Sequence, residues 1–367
     1  MSRAYNFSAG PAALPEPVLK RAQAELLEWG GQSASVMEIS HRDKAFVAMT
    51  ERAEADLRRL LDVPDDYAVL FLQGGATQQF ALIPQNIAAA DATADYLLTG
   101  HWGQKALAEA QPYVRTHVVA SDAPNAFRTL PDPSTWELTP AAAYLHVTPN
   151  ETIHGVEFSE KDLPDAAAMP AAVPIVADVS STLLSRPLDV RRYGVLYAGT
   201  QKNIGASGLT LVIARNDLLA RRPRPLANIL TYAAHAKEHS LLNTPPTFAW
   251  YLTGLVLQWI DGEGGLAAIG ARNQRKAAAL YAAIDGSGGF YSNPVDPRYR
   301  SWMNVPFVLR DAALDAAFLA GSHAAGLLAL KGHKAVGGMR ASLYNAVPEA
   351  GVLALVDFMR DFARRHG

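Results

Sequence analysis

Seven short apolar runs punctuate the first part of this chain: Tyr67 to Leu72, Ala94 to Leu98, Val114 to Val119, Ala142 to Val147, Pro174 to Ala177, Gly194 to Ala198 and Leu209 to Ala214. They are in the main continuous, where a half-exposed strand would alternate apolar and polar residues. Continuous runs of this length mark strands covered on both faces, hence a largely parallel sheet with flanking helices. Helical spacing supports that layout. Val18, Ala22, Leu26 and Trp29 fall on one face, with Gly30-Gly31 as the expected stop. Phe46, Met49, Ala53, Leu57 and Leu60 do the same, with Pro64 just beyond. The predicted architecture is a doubly wound α/β domain.

The texture changes near Pro246. A long apolar helix from Phe248 to Ile260 meets Asp261-Gly-Glu-Gly-Gly265, which is expected to act as a hinge. Ser301 to Leu309 and Ala335 to Leu343 look like strands, each followed by a helical pattern. The chain has 367 residues, and at roughly 150 residues per domain that length accommodates two. The expected division is a large domain over residues 16–260 and a smaller α+β domain over 261–367, joined by the segment 1–15. No internal repeat is visible, and the Ala/Pro stretch from Asp165 to Pro174 reads as a short connection.

Composition closes off several classes of function. With 33 basic and 35 acidic residues, the net charge of −2 lacks the surplus of an electrostatic nucleic-acid binder. The absence of cysteine removes disulfides, thiolate nucleophiles, persulfide chemistry and Cys-ligated metal sites together. No apolar run approaches the ~20 residues that span a bilayer, and Met1 to Pro11 lacks the apolar core of a secretion signal. The expectation is a soluble cytoplasmic protein with no membrane or nucleic-acid partner.

Open α/β sheets bind ligands at the carboxyl ends of their strands, and four such ends carry candidate chemistry. Gln73-Gly-Gly-Ala-Thr-Gln-Gln79 follows a strand and opens a helix. Its glycines and free N–H groups suit a phosphate, although an ordinary strand–helix turn would look similar. Asp178 ends Pro174-Ile-Val-Ala-Asp178, as a helix N-cap or as a carboxylate beside a cationic partner. Lys202 lies in Tyr197-Ala-Gly-Thr-Gln-Lys-Asn203, between a buried strand and a glycine-containing loop. Lysine forms Schiff bases when its surroundings hold the amine partly deprotonated, while a solvated lysine is the commoner case. Trp102 follows Tyr96-Leu-Leu-Thr-Gly-His and can stack on a flat ligand or pack into the core. Together, a phosphate cup, an indole, a carboxylate and a lysine are what pyridoxal 5'-phosphate requires.

A second constellation concerns substrate anions. Arg340 suits bidentate capture of a carboxylate. His41, Arg42, His333 and Lys334 would form a further anion site if the fold gathered them; ordinary solvated charges are the alternative. His235-Ala-Lys-Glu-His239 matches the zinc pattern H-x-x-E-H. Thr244-Pro-Pro246 soon interrupts the helix a third ligand would need, so an exposed polar turn is expected and no metal.

The residues quoted so far resemble the phosphoserine aminotransferase family of fold-type I pyridoxal-phosphate-dependent transferases. The likeness runs nearly end to end. It includes Asn6-Phe-Ser-Ala-Gly-Pro-Ala12, Val36-Met-Glu-Ile-Ser-His-Arg42, Pro149-Asn-Glu-Thr-Ile153, Ser185-Arg-Pro-Leu-Asp189, Tyr197 to Gly205, Phe248-Ala-Trp-Tyr-Leu252 and Gly337-Gly-Met-Arg-Ala-Ser342.

The resemblance implies Lys202 as the Schiff-base lysine and Asp178 as the partner of the pyridinium nitrogen, with Trp102 on the ring. It implies cofactor contacts from Ala76, Thr77, Thr152 and Gln201, and from Asn243 and Thr244 to the cofactor phosphate of a neighbouring subunit, hence a homodimer. Arg42 and Arg340 would bind substrate anions with help from His41 and His333. The implied substrates are L-glutamate, 3-phosphohydroxypyruvate and L-phosphoserine in serine biosynthesis, with a related phosphorylated keto acid of pyridoxine biosynthesis. Two departures stand out. Gly74-Gly-Ala-Thr77 replaces the Gly-Gly-Gly-Arg of a bacterial subgroup, and His333-Lys334 replaces His-Arg, keeping the charge but losing the bidentate fork. The remaining alternative is another fold-type I aminotransferase acting on a different small keto acid. A desulfurase lacks its cysteine here, and a binding protein that kept only the cofactor would not need this residue set.

Overall fold

The computed structural model describes residues 3–164 and 173–367; the greater part of the Asp165–Pro174 connection lies outside the described residues. The chain runs β1 (Tyr5–Asn6), α1 (Glu16–Ala24), α2 (Lys44–Leu61), β2 (Tyr67–Gln73), α3 (Ala76–Ile87), β3 (Thr93–Leu98), α4 (His101–Ala110) and β4 (Arg115–Ser121). It continues through β5 (Leu145–Val147), β6 (Ile175–Asp178), β7 (Val195–Gly199), β8 (Leu209–Arg215), α5 (Asn216–Leu219), α6 (Tyr232–Lys237), α7 (Thr247–Gly262) and α8 (Gly265–Asp285). The remaining elements are β9 (Tyr291–Ser292), β10 (Asn304–Leu309), α9 (Asp315–Ala324), β11 (Leu327–Leu328), β12 (Met339–Ser342) and α10 (Glu349–His366).

All seven predicted apolar runs form strands of one sheet, ordered β2-β8-β7-β6-β5-β3-β4. Only β8 runs against its neighbours; the pairs β7–β6, β6–β5, β5–β3 and β3–β4 are parallel. One face of the sheet packs against α2 and α7, where Phe71 stacks on Trp250 with centroids 4.5 Å apart. Such a buried aromatic pair adds about 1 kcal/mol beyond the area it removes from water. The other face carries α3 and α4. Burial on both faces is why the inner runs are continuous; β4, at the edge of the sheet, is partly exposed and carries Arg115, Thr116 and His117.

Several boundaries differ from the sequence expectation. Helix α1 ends at Ala24, well before Gly30, because Trp29 turns into a loop closed by its N–H to Ala34 O at 2.9 Å. Strand β5 starts only at Leu145: Ala142 is held in a turn by Thr139 O, and Thr139 is tied to the buried Asp95 carboxylate. Strand β12 starts at Met339 because Gly337 and Gly338 adopt positive φ. The hinge glycines leave only a short break, with Gly264 at φ 94° between α7 and α8.

The smaller sheet is β12-β10-β9, antiparallel throughout, and its core includes residues of α8, α9 and α10. The N-terminal strand belongs to this part of the molecule, since Tyr5 pairs with Leu327 and Asn6 with Leu328 in parallel. Lys276 on α8 is buried, and its Nζ donates to the carbonyls of Leu343, Tyr344 and Val347 at 2.8, 2.9 and 3.0 Å. Three donors on an ammonium match three acceptors. A buried asparagine chain joins the two parts. Asn150 donates to Asn304 Oδ1 at 2.8 Å, and Asn304 donates to Ser342 Oγ and the Tyr344 hydroxyl. Asn345 N donates to Asn203 Oδ1 at 3.0 Å, one residue after Lys202.

Candidate active site

Strands β2, β6 and β7 end around a cavity of about 220 Å³. Its lining includes Gly74, Ala76, Thr77, Trp102, Asp178, Gln201 and Lys202, so the cup, the indole, the carboxylate and the lysine predicted separately meet in one place. Gly74 sits at φ +102°, a region costly for other residues, and a side chain there would strike Gln78. This turn delivers the chain into α3 at Gly75. The first-turn N–H groups of a helix lack intrahelical partners and favour an anion.

Asp178 is the last residue of β6 and is buried. Its Oδ1 accepts the Ser180 N–H at 3.0 Å and closes a turn; the chain goes on in turns and not in a helix, so the N-cap alternative is not met and the carboxylate lines the cavity. Burial raises the carboxyl pKa, while Lys202 and the Ser180 hydrogen bonds oppose the rise. Lys202 Nζ donates to Thr152 Oγ1 at 2.8 Å and stands 5.8 Å from the Trp102 ring centroid. Burial lowers the amine pKa to about 8, against the upward pull of Asp178 and Glu151 and with a further push down from Arg340. An amine so placed holds a far larger neutral fraction near neutral pH than an exposed lysine and is a competent nucleophile and base.

Arg340 on β12 reaches the same region, its Nη1 lying 3.4 Å from Thr152 O. His333 stands beside it in the turn before β12, its ring centroid 6.0 Å from that of His101. Burial lowers the His333 pKa, with Arg340, His101 and Lys334 adding to the effect. His154 is pushed down to about 4 by burial and by the same two histidines. Lys334 is exposed.

The other anion candidates gather elsewhere in the chain. His41 Nδ1 lies 3.2 Å from Thr244 Oγ1, and Asn243 donates to Gln73 Oε1 at 2.9 Å. Arg42 is exposed. Among the described residues, no hydrogen bond or ring contact within the chain joins His41 or Arg42 to His333 or Lys334. The H-x-x-E-H segment departs from expectation at its first histidine: His235 is buried in α6 with Nε2 2.9 Å from Ile229 O, whereas Lys237, Glu238 and His239 are exposed, His239 at φ 49° outside the helix. Burial of His235 against the sheet side of α6 explains the difference.

Sequence reasoning passed over two residues, Glu151 and His101. Glu151 is wholly buried, and its carboxylate oxygens accept the N–H groups of Trp102 at 3.0 Å and Gly103 at 2.8 Å. His101 lies at the start of α4, its ring 5.6 Å from that of Trp102.

The donor set, with a buried carboxylate facing a depressed lysine across an aromatic wall and a helix N-terminus, can hold a flat phosphorylated cofactor and transfer protons at the amine. Comparison with known proteins agrees. Residues 4–355 match the aminotransferase class-V family. The chain is 58% identical to the phosphoserine aminotransferase of Stenotrophomonas maltophilia (strain R551-3), with all of both chains covered. The phosphoserine aminotransferase structure from Bacillus circulans subsp. alkalophilus superposes with a TM-score of 0.95 at 48% identity, covering 100% of this chain and 99% of that one. A PLP-bound phosphoserine aminotransferase from Trichomonas vaginalis superposes at 0.92 and 41% identity, covering 98% and 100%. The chain belongs to the class-V aminotransferases and, within them, to the phosphoserine aminotransferase family.

Proposed function

We infer that the chain catalyses the reversible transfer of an amino group between L-glutamate and 3-phosphohydroxypyruvate, giving L-phosphoserine and 2-oxoglutarate, with pyridoxal 5'-phosphate as cofactor. The observation that carries this is the Lys202 amine, held by Thr152 and depressed by burial, in one cavity with Asp178 and Trp102. The residues fit the cofactor. Trp102 Nε1 is a buried donor with no partner among the described residues, and the glycine turn at Gly74 leaves backbone N–H groups where a phosphate belongs.

In this assignment Ala76, Thr77 and Gln201 would hold the phosphate and Trp102 would stack on the ring. The charge of Asp178 would keep the ring nitrogen protonated. When bound, the cofactor supplies an electron sink that acidifies the substrate Cα–H. Lys202 Nζ is the group that carries the proton from Cα, acting as general base and then acid. Thr152 Oγ1 aims that amine. Arg340 takes the substrate carboxylate, and His333 with Lys334 attracts the phosphoryl group.

The His41, Arg42, Asn243 and Thr244 group, unjoined to His333 and Lys334 among the described residues, supports a homodimer in which these residues complete the partner's site. Asn243 and Thr244 would contact the cofactor phosphate there, with His41 and Arg42 on the substrate phosphoryl group. Such a site also suits a related phosphorylated keto acid of pyridoxine biosynthesis. No helix among the described residues is long and apolar enough to cross a membrane, which accords with a soluble, cytoplasmic enzyme.

The test is an absorbance spectrum of the cofactor-loaded protein before and after L-phosphoserine, with no keto acid present. Conversion of the visible cofactor band to a pyridoxamine band is expected. A band that responds to L-glutamate and ignores L-phosphoserine would move the substrate to another keto acid. No band after addition of pyridoxal phosphate would overturn the assignment.

A further inference from the structure

Helix α4 carries Trp102 in its first turn, yet its N-cap is Gly100, which has no side chain to offer. The orphan amides of a helix start need acceptors, and the usual solution is a local Ser, Thr, Asp or Asn. Here the acceptor comes from a different part of the sheet. Glu151, just beyond β5, inserts a fully buried carboxylate whose two oxygens take the N–H groups of Trp102 and Gly103. The fit is close, because a Cβ on Gly100 would overlap the Glu151 carboxyl. The next residue, Thr152, accepts from Lys202 and lies under Arg340. Glu151 thus ties the indole to the strand end that aims the lysine. Burial raises its pKa to about 7, while the two N–H groups and Lys202 pull it down and Asp178 adds to the rise.

We propose that Glu151 is a positioning residue for the cofactor: by capping α4 from outside the helix it fixes the Trp102 indole against the cavity that Asp178 and Lys202 share. It touches neither substrate nor reacting atoms. The inference rests on the pyridoxal-phosphate assignment above. Its particular consequence is that Glu151 acts through Trp102, so the two residues must be coupled in cofactor affinity.

The experiment is a double-mutant cycle on the cofactor dissociation constant, measured by titrating the cofactor-free protein with pyridoxal phosphate. Glu151→Gln keeps the shape but sets an amide donor against one backbone N–H. In the wild-type background it should weaken cofactor binding about tenfold, the scale of one lost charged hydrogen bond. In a Trp102→Ala background the same change should cost less than about twofold. Unchanged affinity in Glu151→Gln, or an equal loss in both backgrounds, would overturn the proposal. Wild-type protein that binds no pyridoxal phosphate would overturn the assignment and this inference together. Hydrogen exchange on the unmodified, cofactor-free protein needs no variant to fold. The Trp102 and Gly103 amides should exchange slowly, where first-turn amides are ordinarily fast, and rapid exchange at both would refute the cap.

Discussion

Thr152 Oγ1 accepts a hydrogen of Lys202 Nζ at 2.8 Å, while the carbonyl of the same threonine faces Arg340 Nη1 at 3.4 Å. One residue therefore sets the distance between the amine and the guanidinium. Thr152→Val keeps the shape and removes the acceptor. A lost hydrogen bond of about 1 kcal/mol corresponds to a five- to tenfold fall in kcat. Steady-state assays with L-phosphoserine and 2-oxoglutarate check it; wild-type kcat in this variant would take the hydroxyl out of the chemistry.

Lys202→Ala should abolish turnover while leaving the protein folded. In the cofactor-free protein, labelling of Lys202 by an amine-directed reagent should rise through about pH 8, well below the range of exposed lysines. Between about pH 8 and pH ~10.5 the unfolded chain holds a proton at this amine that the folded chain releases. Folding should thus weaken as pH falls through that window. Comparing denaturant unfolding of the wild type with Lys202→Met across the window isolates the effect, and parallel curves would refute the depressed amine.

Lys276→Met should destabilise the protein by about 3 kcal/mol or more, because it leaves three buried carbonyls without donors. Urea unfolding of the cofactor-free variant measures this. A loss below about 1 kcal/mol would show that the carbonyls find other partners.

His101→Gln should raise KM for L-phosphoserine about fivefold and leave KM for L-glutamate unchanged. His101 stands beside His333, and only one of the two substrates carries a phosphoryl group; a fivefold change corresponds to about 1 kcal/mol. Equal shifts for both substrates would place His101 in general packing instead.

The central sheet could be read from the sequence because its inner strands are covered on both faces, and Tyr67 to Leu72 or Leu209 to Ala214 have no polar residue to blur the pattern apart from Thr210. Lys202, Asp178 and Trp102 were legible because strand ends in such sheets converge. Glu151 was not. Its partners are backbone N–H groups on another element, and backbone donors leave no trace in residue identity. His101 was hidden for a related reason, since its nearness to His333 depends on contacts between segments far apart in the sequence. The early end of α1 was invisible because Leu26 and Trp29 keep helical spacing, although Leu26 is exposed and Trp29 packs on the core from a loop.

The pairing of Tyr5 with Leu327 and Asn6 with Leu328 bears on the order of events during synthesis. The strands of the large sheet are all made, and can pair, before Leu327 leaves the ribosome. The N-terminal strand has no partner throughout that interval. Because contacts so distant in sequence form late, the β1–β11 pair should be among the last parts to consolidate, with β1 as a loose edge that holdase chaperones can grip until β11 arrives.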